Sequence, residues 1–132
     1  MAPEPRSDCP IACSLDVIGD RWTLVVLRDV LLAQRRTFGE LAQAEGIAPN
    51  ILSERLARLE AAGVLTKERD PADGRRRLYL PTERGLDLIP VLLAVGRWGI
   101  LHTPGCAHAD FFLDDGDPEA REAHLRERAT AP

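Results

Sequence analysis

Three cysteines in 132 residues, an odd number, are too few for a disulfide framework, so the fold must rest on an apolar core in a compartment that keeps thiols reduced. No apolar run is read as approaching the roughly 18–20 residues of a membrane span. The opening Met1-Ala2-Pro3-Glu4-Pro5 lacks the basic start and apolar stretch of a secretory leader. A cytoplasmic protein with no membrane partner is expected. The sequence also lacks a glycine-rich phosphate loop, a nucleophile–base pair and paired catalytic carboxylates at usable spacing, and Asp114-Asp115 sits in an acidic stretch as solvating charge. These absences argue against an enzyme and imply no cofactor and no resident metal.

What is present suits one compact domain: 45% hydrophobic and 29% charged residues, enough to form a modest core. The net charge of −4 looks unfavourable for a nucleic-acid partner, but residues 106–132 hold seven acids against three arginines and account for all of it. Residues 35–85 carry ten basic and eight acidic side chains, the basic ones clustered. Local charge, rather than the total, decides DNA binding.

Apolar residues return at helical spacing from Ile11 to Leu32, interrupted at Gly19-Asp20, where Asp20 can N-cap a second helix starting at Arg21. Thr37-Phe38-Gly39-Glu40 reads as a capping box opening a short helix, 38–45. Gly46 can end that helix in a left-handed conformation, and Pro49 suits the first turn of the next, which runs to Ala62 before Gly63. Val64 to Glu68 and Arg75 to Leu80 read as strands around a turn at Asp70–Gly74, with Leu78 and Leu80 alternating against Arg77 and Tyr79. Thr82 can cap a long final helix, 83–101, kinked at Pro90. The fold class is therefore mainly α with a small β-hairpin wing: a winged helix-turn-helix over 9–104, flanked by a mobile tail at 1–8 and an acidic, at best partly ordered tail at 105–132.

On the helix from Pro49, Leu52, Leu56 and Leu59 form an inward stripe, so Asn50, Glu54, Ala57 and Arg58 point away with Ser53 and Arg55 on the flanks. Asn and Arg suit bidentate contacts with adenine and guanine edges in a major groove, and Ser53 can bond a base or a phosphate. Arg75, Arg76 and Arg77 near the wing tip are placed for phosphates or a minor groove. Arg35, Arg36 and Thr37 before the short helix offer a further phosphate clamp. Glu54 either reads a cytosine amino group or pairs with Arg58 four residues on. A charged helix face alone is usually plain solvated surface; the helix pair, hairpin and arginines together favour double-stranded DNA. The two-faced apolar helices add a homodimer, with Trp22, Val26, Leu88, Val91, Val95 and Trp98 as candidate interface residues.

At these residues the chain resembles the HxlR family of bacterial winged-helix regulators, relatives of the MarR group. The resemblance rests on Cys9-Pro10, Leu15 to Thr23, Arg35 to Leu41, Asn50 to Leu56 with Leu59-Glu60 and Gly63, Thr82 to Gly85, Pro90 to Leu92 and Trp98-Gly99. It implies a dimeric DNA-binding regulator, a repressor rather than an activator, and a two-fold dimer in turn predicts an inverted-repeat operator. Ala48 departs from the serine N-cap common in the family, and the wing looks more like the MarR type. Some members sense electrophiles or oxidants through a cysteine near the N-terminus. Cys9 matches that position, with Cys13 one turn on; the alternative is that both are small buried residues without chemistry. A small-molecule or electrophile effector is thus a candidate partner. Two rivals stand beside this reading: a metal-responsive regulator using His102, Cys106 and His108, and a winged-helix protein-interaction module, which would be expected to lack the basic wing.

Overall fold

A computed structural model describes residues 7–132. The mobile-tail expectation for residues 1–6 lies outside the described residues, while Ser7 is tied to the first helix through Cys9 N–H, which donates to its hydroxyl at 3.0 Å. The order is α1 (Pro10–Ile18), α2 (Thr23–Leu31), α3 (Phe38–Ala44), α4 (Pro49–Ala61), β1 (Leu65–Arg69), β2 (Arg77–Pro81), α5 (Glu83–Leu86), α6 (Ile89–His102), α7 (Ala109–Phe112) and α8 (Pro118–Thr130).

Local chemistry explains most boundaries. Asp20 accepts from the backbone N–H of Trp22 and Thr23 at 2.9 and 3.0 Å, so α2 begins at Thr23, two residues later than expected. Thr37 caps α3 by accepting from Glu40 N–H at 3.2 Å; the Glu40 carboxylate takes the Thr37 hydroxyl at 2.8 Å rather than reaching back to the Thr37 backbone, which makes half of a capping box. Gly46 and Gly63 hold the left-handed φ values of 65° and 73° that end α3 and α4. With Ala48 in front of it, α4 starts without a side-chain cap and relies on Pro49 to preset the first turn.

The strands pair antiparallel, Leu65 opposite Pro81 through Arg69 opposite Arg77. Arg75 and Arg76 therefore belong to the turn and not to the strand. The inward residue of β2 is Tyr79, with Leu78 and Leu80 only half-buried, because Tyr79 N–H bonds the Arg36 carbonyl at 2.8 Å and draws that side of the wing onto the body. The expected long helix is two: Pro90 falls in the first turn of α6 and separates it from α5, so it breaks the helix where a kink was expected. By length and composition alone, Glu83–His102 is apolar enough to cross a membrane (mean hydropathy 1.3), more than the sequence reading allowed; Leu86, Ile89 and Leu92 within it are buried in the protein core.

That core gathers Val26, Leu27, Val30 and Leu31 of α2 with Leu41, Leu52, Leu56, Leu59, Tyr79 and Ile89. Val26, expected at a dimer surface, is 2% exposed and belongs to it. The acidic segment beyond 104 is also no loose tail. Its α8, capped by Asp117, packs against α2, β2 and α6 and sinks Leu125 and Ala129 (3% and 0% exposed) into the same core. Arg126 fastens it further, bonding Glu83 at 3.0 Å, Asp87 at 3.2 Å and Glu122 at 3.2 Å. Periodicity pointed to neither helix beyond 104, because α7 is a single turn and α8 has few large apolar residues among many charges; the two that α8 buries, Leu125 and Ala129, are four apart and lie on one stripe.

Candidate nucleic-acid interface

Helix α4 buries Leu52, Leu56 and Leu59 as its spacing requires, which leaves Asn50, Ser53, Glu54, Ala57 and Arg58 exposed on the outer face. Arg55 departs from the expected groove position. Its Nε donates to Asp20 at 2.9 Å and its Nη1 to Glu54, so it braces α4 against the start of α2. Arg58 lies 3.7 Å from Asp20 and 3.7 Å from Glu54 and stays about half exposed. Glu54 thus pairs with both arginines.

Asp20 is the residue whose part the sequence reading understated. It caps the start of α2 and holds the flank of α4 with one carboxylate. Partial burial pushes its carboxyl upward, but hydrogen bonds from the Thr23 hydroxyl, Arg55 and the Trp22 and Thr23 backbone outweigh this and hold it far below the usual carboxylate range. A depressed native value contributes stability that is complete above the unfolded pKa, about 4, and is lost as pH falls toward the native one. Urea midpoints should accordingly fall more steeply below roughly pH 4 for the wild type than for Asp20→Asn; parallel curves would show that the ionised carboxylate contributes nothing to stability.

The wing tip is organised by its own acids. Asp70 accepts from Ala72 N–H at 2.9 Å and Asp73 from Arg75 N–H at 3.1 Å, which sets Arg75, Arg76 and Arg77 in exposed positions. Arg76 keeps a loose 3.7 Å pairing with Asp70. A concave surface of about 550 Å³ joins this wing to the helix pair, lined by Arg76, Arg77 and Lys67 from the wing, Ser53 from α4 and Thr37 from the start of α3. Lys67, the chain's one lysine, was missed by sequence reasoning. Its place opposite Tyr79 in the hairpin register, with its ammonium 5.8 Å from the ring centre, was available only once the pairing was known.

The Arg35-Arg36 clamp is not free. Arg35 Nη1 pairs with buried Asp29 at 2.8 Å. Arg36 Nη2 donates to the Ala129 carbonyl of α8 at 3.1 Å, and its Nε is buried without a partner. Asp29 of α2 thus holds Arg35, and α8, invisible in the sequence pattern, claims Arg36.

On another face, α1 and α6 leave large apolar side chains in the open: Ile11 72%, Leu15 53%, Val95 51%, Trp98 64% and Leu101 54% exposed. Ile11, Leu15 and Val95 line an apolar groove of about 540 Å³ together with Leu24, Leu88 and Val91. Trp22 lies partly buried against the core, with Arg21 over its ring at 5.5 Å. Cys9 is exposed, while the Cys13 thiol donates to the Ser7 carbonyl at 3.1 Å. Among the described residues no group of three or more His, Cys, Asp or Glu is arranged to hold a metal ion.

A three-helix body with a turn between α3 and α4, followed at once by a two-stranded wing, defines a winged helix-turn-helix transcriptional regulator. The profile of the HxlR-like helix-turn-helix family matches residues 17–105, and the chain belongs to that family. It is 36% identical over 91 residues to the uncharacterised HTH-type transcriptional regulator Rv3095 of Mycobacterium tuberculosis, a match covering 69% of this chain and 57% of that one. The chain thus spans little more than half the length of this mycobacterial relative. The uncharacterised HTH-type regulator sll1512 of Synechocystis is 34% identical, with 67% of its length covered. Among solved structures, PA1607, a candidate transcription factor, superposes with a TM-score of 0.72 at 35% identity over 78% of this chain and 72% of its own. The redox regulator HypR in its oxidised form does so with a TM-score of 0.63 at 28% identity, over 70% of this chain and 96% of its own. Helices α7 and α8 lie beyond the family match.

Proposed function

We propose that this regulator binds double-stranded DNA in a sequence-specific manner as a homodimer and represses transcription from an inverted-repeat operator. The observation that carries the reading is the concave surface on which Ser53, from the exposed face of α4, meets the cationic wing. Asn50, Ser53 and Arg58 read base edges in the major groove. Arg75, Arg76, Arg77 and Lys67 take phosphates, with Thr37 at the start of α3 beside them. Arg55 positions α4 through Asp20, and Arg35 and Arg36 support the fold rather than the contact. The second copy covers the apolar groove between α1 and α6, where Leu88, Val91, Val95 and Trp98 would be buried. Two-fold symmetry then sets the half-sites about one helical turn apart.

Selection of bound DNA from a random pool, followed by titrations at several salt concentrations, tests the map. Arg58→Ala should change the preferred base at one position of each half-site. Arg76→Ala should weaken all sequences alike and flatten the logarithmic salt dependence by about one unit of slope per site. Binding indifferent to both substitutions would reject these contacts.

A thiol response is the second reading, favoured by the exposure of Cys9 and by the likeness to the redox regulator HypR. Intact mass after diamide treatment, compared with Cys9→Ser, decides it: an unmodified Cys9 and unchanged DNA affinity would remove it.

A further inference from the structure

A cavity of about 520 Å³ lies where the end of α2, the end of α3, α7 and α8 meet, and its chemistry is unlike that of the DNA-facing surface. Three arginines line it. Arg28 and Arg35 converge on the buried Asp29 carboxylate at its edge, Arg28 through Nε and Nη2 at 3.0 and 2.8 Å and Arg35 through Nη1 at 2.8 Å. The two side chains are 34% and 40% exposed. One of five donors on Arg35 is used there, which leaves others for a guest. Arg128, from α8, is exposed. Phe111 and Phe112 line the cavity too, edge to face with ring centres 5.0 Å apart. Glu45, bonded to Arg28 at 2.7 Å, is the acid on the lining.

Backbone strain gathers at the same place. Among the described residues two non-glycine positions have left-handed φ, Gln34 at 57° and His108 at 68°. His108 lines the cavity, and Gln34 sits between the lining residues Ala33 and Arg35. Conformations that a Cβ disfavours persist where surrounding structure imposes them, and such places are often ligand sites. Gln34 is held by its side-chain amide, which donates to the Arg128 carbonyl.

We infer that this cavity binds a small aryl carboxylate, its anionic group on Arg35, Arg28 and Arg128 and its ring against Phe111 and Phe112. Planar guanidiniums match a carboxylate with two parallel hydrogen bonds, and perpendicular phenyl rings present both a face and an edge to a third ring. The volume falls within the range of small-molecule sites. His108, Phe111, Phe112 and Arg128 on its lining lie beyond the family match, so the site is completed by the segment that follows the family's domain.

Titration with phenylacetate, followed by calorimetry, tests the inference, with phenylacetamide as the neutral counterpart. Saturable one-to-one binding by the acid at millimolar concentration, and none by the amide, is expected. Arg128→Gln, at a surface side chain, should weaken it about tenfold and leave the thermal midpoint of the free protein unchanged. Transferred nuclear Overhauser effects from the probe should reach the rings of Phe111 and Phe112. Absence of saturable binding, equal binding of acid and amide, or contacts to the α1–α6 groove instead would overturn it. Because Arg28 also holds Glu45 at the end of α3, a bound carboxylate would compete for that guanidinium and lower DNA affinity. This last effect rests on the DNA-binding reading, whereas the binding measurements stand without DNA.

Discussion

Replacing Leu15 and Trp98 together by glutamate should yield a folded monomer whose affinity for operator DNA falls by about 10²–10⁴-fold. Both side chains are more than half exposed and outside the buried core, so the chain can carry charge there without losing its fold. In a dimer the same positions would be dry, and an unpaired carboxylate buried at each is costly enough to prevent association. The loss at DNA is larger than any single contact explains, because the second half-site is bound at the effective concentration that dimerisation creates. Halving the phosphates neutralised should also halve the salt slope. Sedimentation velocity and fluorescence anisotropy at several salt concentrations measure the two effects. A dimer of unchanged affinity would move the interface elsewhere.

Leu125→Ala is expected to cost about 2–5 kcal/mol, a large part of the 5–15 kcal/mol that typically holds a domain together. Deleting 118–132 should be worse, abolishing a cooperative thermal transition. The deletion removes Leu125 and Ala129 from the core and takes away the carbonyl that Arg36 bonds, leaving a guanidinium whose Nε already lacks a partner. Urea denaturation followed by circular dichroism gives the first value and a thermal scan the second. A truncated protein with a normal melt would mean that α8 rests on the domain without supporting it.

The inward leucines of α4, the glycines closing α3 and α4 and the hairpin were legible because each is a local rule: a period of 3.6, a left-handed stop, a turn rich in Asp and Gly. The exposed face of α4 followed from the same period. What escaped depends on contacts distant in sequence. Val26 could have faced either side of a two-faced helix, and only its packing partners placed it inside. Arg35 and Arg36 looked like a phosphate clamp because nothing local says that α8 returns to claim one and that Asp29 holds the other. Arg55 read as a groove residue for want of its partner Asp20, 35 positions earlier. Tyr79 and Lys67 needed the strand register. The acidic segment misled for a different reason: charge was counted over its length, while the two residues that anchor α8 were a minority within it.

The bonds from Gln34 and Arg36 to the carbonyls of Arg128 and Ala129 span 94 and 93 positions of chain. Contacts so remote must close a large loop before they are rewarded, and they slow folding. Synthesis runs from the N-terminus, so during translation α2, β2 and α6 emerge before α8, which packs against all three, can cover them. They must wait in that state until residues 125–129 leave the ribosome. A translation product cut short before α8 would therefore leave that part of the core uncovered and open to proteolysis.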